Sequence, residues 1–163
     1  MSAEAAVEKM ISRCRESEVN MSRVMAVIGD CAEDDKMAVK CAKKASSLIP
    51  ANIGRGTRLN YCLEILDGLV GISQAVRVFC SGRHVLQQLE KIAEFSDRAE
   101  KLARNVTPPV PREDSAAMHA MRCMASWSEK YRNEFPLYSE AIQKWDKQGV
   151  WIASVCKDRG SIQ

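Results

Sequence analysis

Residues 127–150 read WSEKYRNEFPLYSEAIQKWDKQGV, and two helical patterns meet inside this stretch. Ahead of the join, Met118, Met121, Ala125, Ser128 and Tyr131 recur at steps of three or four. That spacing gathers small and apolar side chains on one face of a helix. Beyond Asn133-Glu134-Phe135-Pro136, the residues Tyr138, Ala141, Ile142 and Trp145 form an i, i+3, i+4, i+7 stripe. Pro136 stands where a first helical turn tolerates the missing N–H, and Gly149 suits the left-handed residue after a helix end. The expected product is a hairpin of two packed helices.

The same period runs back toward the N-terminus. Ser2 can cap a first helix with Val7, Met10, Ile11 and Cys14 on one face, and Asn20 a second carrying Met21, Val24, Met25, Ile28 and Cys31. Asp34 or Asp35 can cap a third, with Met37, Ala38, Cys41, Ala42, Ala45 and Leu48 as its buried stripe. Pro50 and the turn Gly54-Arg55-Gly56 end it, and Thr57 starts a fourth helix with Leu59, Cys62, Leu63, Leu66, Leu69 and Val70 facing inward. A short helix is predicted over 75–80 and a longer one over 83–95, the latter with Val85, Leu86, Leu89, Ile92 and Ala93 apolar. Prolines 108, 109 and 111 make the segment from Asn105 to Pro111 a connection, after which Asp114 or Ser115 caps the next helix. No alternating strand pattern is found, so the expected class is all-α, with short helices stacked in pairs.

With 163 residues, the chain is long enough for one sizeable core. A hydrophobic content of 46% beside 28% charged residues is that of a soluble globular protein, and no apolar run is long enough to cross a bilayer. The N-terminal MSAEAAVEKM lacks an apolar h-region and is not read as a signal peptide. Seven cysteines without tight pairing fit a reducing, cytosolic compartment. The net charge of +3 does not by itself call for a nucleic-acid partner, and no aromatics interleave the basic residues.

Candidate chemistry is sparse. Cys80 and His84, and likewise His119 and Cys123, are four apart and could each meet on one helical face. No CxxC or HExxH accompanies them, so ordinary packing is expected, with no metal, cofactor or catalytic residues. Met118, Met121 and Met124 are expected in the core, whereas Met21, at the start of its helix, is open to either core or contact. Trp127 and Trp145 are expected as core anchors. Basic residues gather as Lys36, Lys40, Lys43 and Lys44, then Arg55 and Arg58. They form either a solvated face or a site for an anionic partner such as an acidic lipid headgroup or peptide.

Trp127 with Tyr131, then Arg132-Asn133-Glu134, Pro136, Tyr138 and the closing Lys147-Gln148-Gly149-Val150, resembles the end of a VHS domain. Leu63-Glu64-Ile65-Leu66-Asp67 with Leu69-Val70 resembles that family's central helix, and Val85-Leu86-Gln87-Gln88-Leu89 with Lys91 the helix after it. The resemblance implies a domain over residues 1–150, a tail over 151–163 and a right-handed superhelix of about eight helices. It implies a non-catalytic, monomeric module of vesicle or endosomal protein transport, cytoplasmic or peripheral on endosomal or Golgi membranes. Such a module binds ubiquitinated cargo or a short acidic sorting peptide. The ubiquitin-contacting Trp and Leu of the family's second helix fall here on Met21 and Met25, both departures, and the sorting-peptide groove carries over at Lys91. Ser73-Gln74 replaces the family's customary Cys-Gly. The rival readings are an ENTH-like module that binds phosphoinositides through the basic third helix, and a polymerase-tail-binding domain.

Overall fold

The computed structural model describes the backbone of residues 1–104 and 115–148 and the side chains of 1–94 and 115–144. Its elements are α1 (Ala3–Ser12), α2 (Met21–Cys31), α3 (Asp35–Leu48), a 3₁₀ turn (Pro50–Asn52), α4 (Gly56–Ile72), α5 (Gln74–Cys80), α6 (Arg83–Arg104), α7 (Ala116–Lys130) and α8 (Pro136–Gln148). The fold is all-α, and no strand occurs among the described residues. Nor is any helix among them long and apolar enough to cross a membrane. The expectations for the segment 105–111, for Trp145, for Gly149 and for the tail 151–163 lie outside the described residues.

Local chemistry starts most of these helices. Ser2 Oγ accepts from the Ala5 N–H, Asn20 Oδ1 from Ser22, Asp34 Oδ1 from Met37 and Ser115 Oγ from Met118, each at 3.0–3.1 Å. Each bond satisfies a backbone donor that has no partner within the first turn. Ser73 does the same for α5, accepting from Val76 N–H while its own hydroxyl donates to Asp35 Oδ1 at 2.8 Å. The start of α5 is thereby tied to the start of α3. Between α3 and α4, Asn52 is buried and donates to Leu48 O at 2.7 Å. Gly54 then takes a left-handed φ of 88°, which a Cβ would oppose, and α4 follows from Gly56.

The chain forms two compact units, Met1–Gln88 and Leu89–Gln163, with the boundary inside α6. In the first unit α3 packs against α1, α2, α4 and α5, and α4 against α1, α2, α3 and α5. Helices two apart in sequence therefore lie side by side, as in stacked helix pairs. This central position explains why α4 buries Tyr61 and Ile65 in addition to its expected stripe. A helix covered on several sides is apolar around much of its circumference. The α3 face is lined by Ala38, Cys41, Ala42, Ala45 and Ser46, whose small size lets neighbours approach closely. Ser46 Oγ donates to Gln88 Oε1 at 2.5 Å and Gln88 Nε2 donates back to Ser46 O at 2.9 Å, so this buried polar pair satisfies itself. Where α2 meets α4, a Cβ on Gly68 would collide with the Ile28 side chain, and glycine sets the approach.

In the second unit α7 and α8 pack as the expected hairpin. Trp127 and Tyr138 are fully buried, their ring centroids 5.7 Å apart and tilted by 57°, and Phe135 stacks against Tyr138 at 5.9 Å. The turn closes through Phe135 N–H to Tyr131 O at 2.8 Å.

Several expected faces shift. On α7 the buried side holds Ala117, Ala120, Met121, Cys123, Met124 and Trp127, while Ala125, Ser128 and Tyr131 are only half-buried. The expected core residues Met118, Met121, Met124 and Trp127 are all buried, and the larger ring of Trp127 takes the interior ahead of Tyr131. Met37, Leu48, Leu86, Ala141 and Ile142 are half-buried, and Cys14 lies beyond the end of α1. Helix α6 runs nine residues past the expected end at 95, to Arg104. The segment from Asp97 to Arg104 is rich in Ala, Glu, Lys, Leu and Arg, all good helix formers, and Ala99, Leu102 and Ala103 keep the helical spacing from Phe95.

Candidate functional site

On α2, Val24, Val27, Ile28 and Cys31 are buried, which turns the opposite side of the helix outward. Met21 and Met25 stand on that side one turn apart, with relative exposures of 44% and 56%. Their neighbours Ser22, Ala26 and Gly29 are also exposed and are small. The two thioether side chains therefore stand above a low surface, forming an adaptable apolar strip of the kind methionine supplies.

The entry to α2 is held from α4. Tyr61, with no exposed surface, donates its hydroxyl to Glu16 Oε2 at 2.5 Å and accepts the backbone N–H of Asn20 at 2.9 Å. Burial, and secondarily the bond to Glu16, pushes the Tyr61 phenol above its ordinary pKa. It remains a donor across the neutral range. Glu16 Oε1 in turn accepts Arg23 Nη1 at 2.9 Å. Two further α4 side chains reach the same loop: Thr57 Oγ1 donates to Ser17 O at 3.1 Å and Arg58 Nη2 to Cys14 O at 3.3 Å. Nothing in the hydropathy period marks this network, because Tyr61 falls in an apolar helix and Glu16 in a loop, 45 positions apart.

The six basic candidates separate into different environments. Lys36, Lys40 and Lys43 are exposed along one side of α3 at i, i+4 and i+7. Lys44 is partly covered, and its ammonium lies 3.9 Å from Glu4 Oε1 and 3.7 Å from Glu8 Oε2 of α1. Arg58 is half-buried, its guanidinium committed to Cys14 O and to Asn52 Oδ1 at 3.4 Å. It braces the loop and does not present a free charge. Arg55 is exposed at the residue before α4.

Lys91 is exposed on α6. The adjacent Glu90 pairs with Lys144 of α8, with contacts of 3.2 and 3.3 Å to its two carboxylate oxygens. Lys144, one of the two lysines of α8, is thus already partnered.

The Cys80–His84 pair does not share a helical face: Cys80 ends α5 fully buried, and His84 lies exposed in α6. Burial pushes the Cys80 thiol up to about 12, unsuited to act as a ligand or nucleophile near neutrality. On α7, Cys123 is buried and His119 half-buried. Among the described residues no three His, Cys, Asp or Glu side chains gather to hold a metal ion. Met1, Ile72, Val78 and Leu137 are exposed as well.

No family model, curated protein or solved structure matches the chain.

Proposed function

We propose that this chain is a non-catalytic interaction module of the VHS type, acting in cytoplasmic vesicle or endosomal transport and binding ubiquitin weakly through α2. The observation that carries the reading is the exposed pair Met21 and Met25, one turn apart on a helix whose other side is buried. The VHS resemblance assigns its ubiquitin contact to the same two positions. A strip of two methionines without a tryptophan anchor buries little area, so the dissociation constant belongs at about 0.1–1 mM. In an NMR titration of labelled protein with ubiquitin, shifts should centre on residues 20–29 and vanish in Met21→Asp. Unmoved spectra at millimolar ubiquitin would remove this reading. An acidic sorting peptide at Lys91 is less favoured, because Glu90 lies beside it and occupies Lys144.

One observation favours a second reading, in which α3 lies against an anionic, phosphoinositide-bearing membrane. Lys36, Lys40 and Lys43 are exposed in one row, and lysines as point charges on flexible stems suit a diffuse anionic surface.

A further inference from the structure

We infer that Tyr61 is a positioning residue for the α2 surface: from inside α4, its hydroxyl sets the α1–α2 loop and the first turn of α2, and so the placement of Met21 and Met25. The inference rests on the reading of those two methionines as the contact residues.

The geometry leaves the hydroxyl little alternative. Its oxygen is enclosed, it donates to a loop carboxylate, and it accepts the backbone N–H of Asn20, the residue that caps α2. Asn20 already spends its side-chain oxygen on Ser22 N–H, one residue beyond Met21. One phenol therefore grips the capping residue by its backbone while that residue grips the helix by its side chain. Thr57 and Arg58 hold the same loop through Ser17 O and Cys14 O, so two further anchors of the loop also come from the start of α4. At the far end of α2, Ile28 seats against Gly68, also of α4. The Met21–Met25 strip thus lies on a helix that α4 touches at both ends. A preformed surface loses less freedom on binding than one that must be ordered, which matters most when the contact area is small. A loosened loop would have to be ordered on binding and would weaken so small a contact.

The test uses the full chain and four variants. Tyr61→Phe removes only the hydroxyl, and Glu16→Ala removes its acceptor. Glu16→Gln keeps an acceptor, and Arg23→Ala breaks only the exposed ion pair. In Tyr61→Phe and Glu16→Ala, amide exchange at Asn20 should accelerate and affinity for ubiquitin should fall, each about threefold to tenfold, the worth of one hydrogen bond. The Met21 and Met25 methyl resonances should also move in the free protein. Glu16→Gln and Arg23→Ala should stay within about twofold of the parent in both measurements. Unchanged Asn20 exchange and methyl positions in Tyr61→Phe, whatever its melting temperature, would overturn the inference. Should the parent chain not bind ubiquitin, the α2 contact reading fails, while exchange and methyl shifts still decide whether Tyr61 positions the helix.

Discussion

Trp127 joins a local pattern to a packed interior. It lies at the four-residue spacing from Tyr131 that the sequence displays, yet Tyr131 is half-buried at the end of α7 and Trp127 fully enclosed against Tyr138. Both rings fit a helical period, so periodicity alone cannot choose between them. The choice falls to the larger apolar surface, since burial stabilises in proportion to the area removed from water. Trp127→Ala should therefore leave a ring-sized cavity and cost about 3–5 kcal/mol in urea denaturation. A cost below about 1 kcal/mol would mean that the site collapses or that the ring is not the anchor. Leu66 and Leu89, expected in the interior, are likewise fully buried.

For the helices as elements, the starting points were the most legible part of the chain. Ser2, Asn20, Asp34 and Ser115 all cap where the sequence places them, because a cap is a bond between residues two or three apart. The end of α6 fell short in the sequence expectation at residue 95, although Ala99, Leu102 and Ala103 keep a helical spacing from Phe95 on residues of good helix propensity. On α3 the sequence shows a cluster of lysines, but only the packing of α1 alongside separates Lys44, facing Glu4 and Glu8, from the row of Lys36, Lys40 and Lys43. If that row meets an anionic surface, pelleting with acidic liposomes should weaken several-fold as salt rises from about 0.05 to 0.3 M, with the Debye length shrinking accordingly. It should weaken again in Lys40→Glu/Lys43→Glu, while Lys44→Glu should matter less. Indifference to both salt and charge reversal would identify the row as a solvated face.

At the scale of the whole molecule, the thiols among the described residues report on enclosure. Cys31, Cys41, Cys62, Cys80 and Cys123 are buried, whereas Cys14 is half-buried in the loop after α1. Burial pushes the thiols of Cys41, Cys62 and Cys80 up to about 12. A raised folded-state pKa means that the stabilisation is complete below the unfolded thiol's value, about 8.5, and is lost as pH rises toward the folded value. The melting temperature should accordingly decline from about pH 9 upward. Native alkylation followed by peptide mapping should label Cys14 well ahead of the five buried cysteines, which react only as the fold opens. Equal labelling of Cys62 and Cys14 would contradict the packing around α4.

What the sequence by itself determined is the all-α class, the order of the helices and most of their starts. These depend on interactions within one or two turns, which leave a period or a cap in the text of the chain. Tertiary structure alone decided that Ala125, Ser128 and Tyr131 stay half-buried, that α4 is covered on several sides, that Arg58 braces a loop and that Tyr61 grips Asn20. The last two outcomes depend on partners some forty positions away, brought together by the packing of several helices, and such pairs leave no periodic trace in a single sequence.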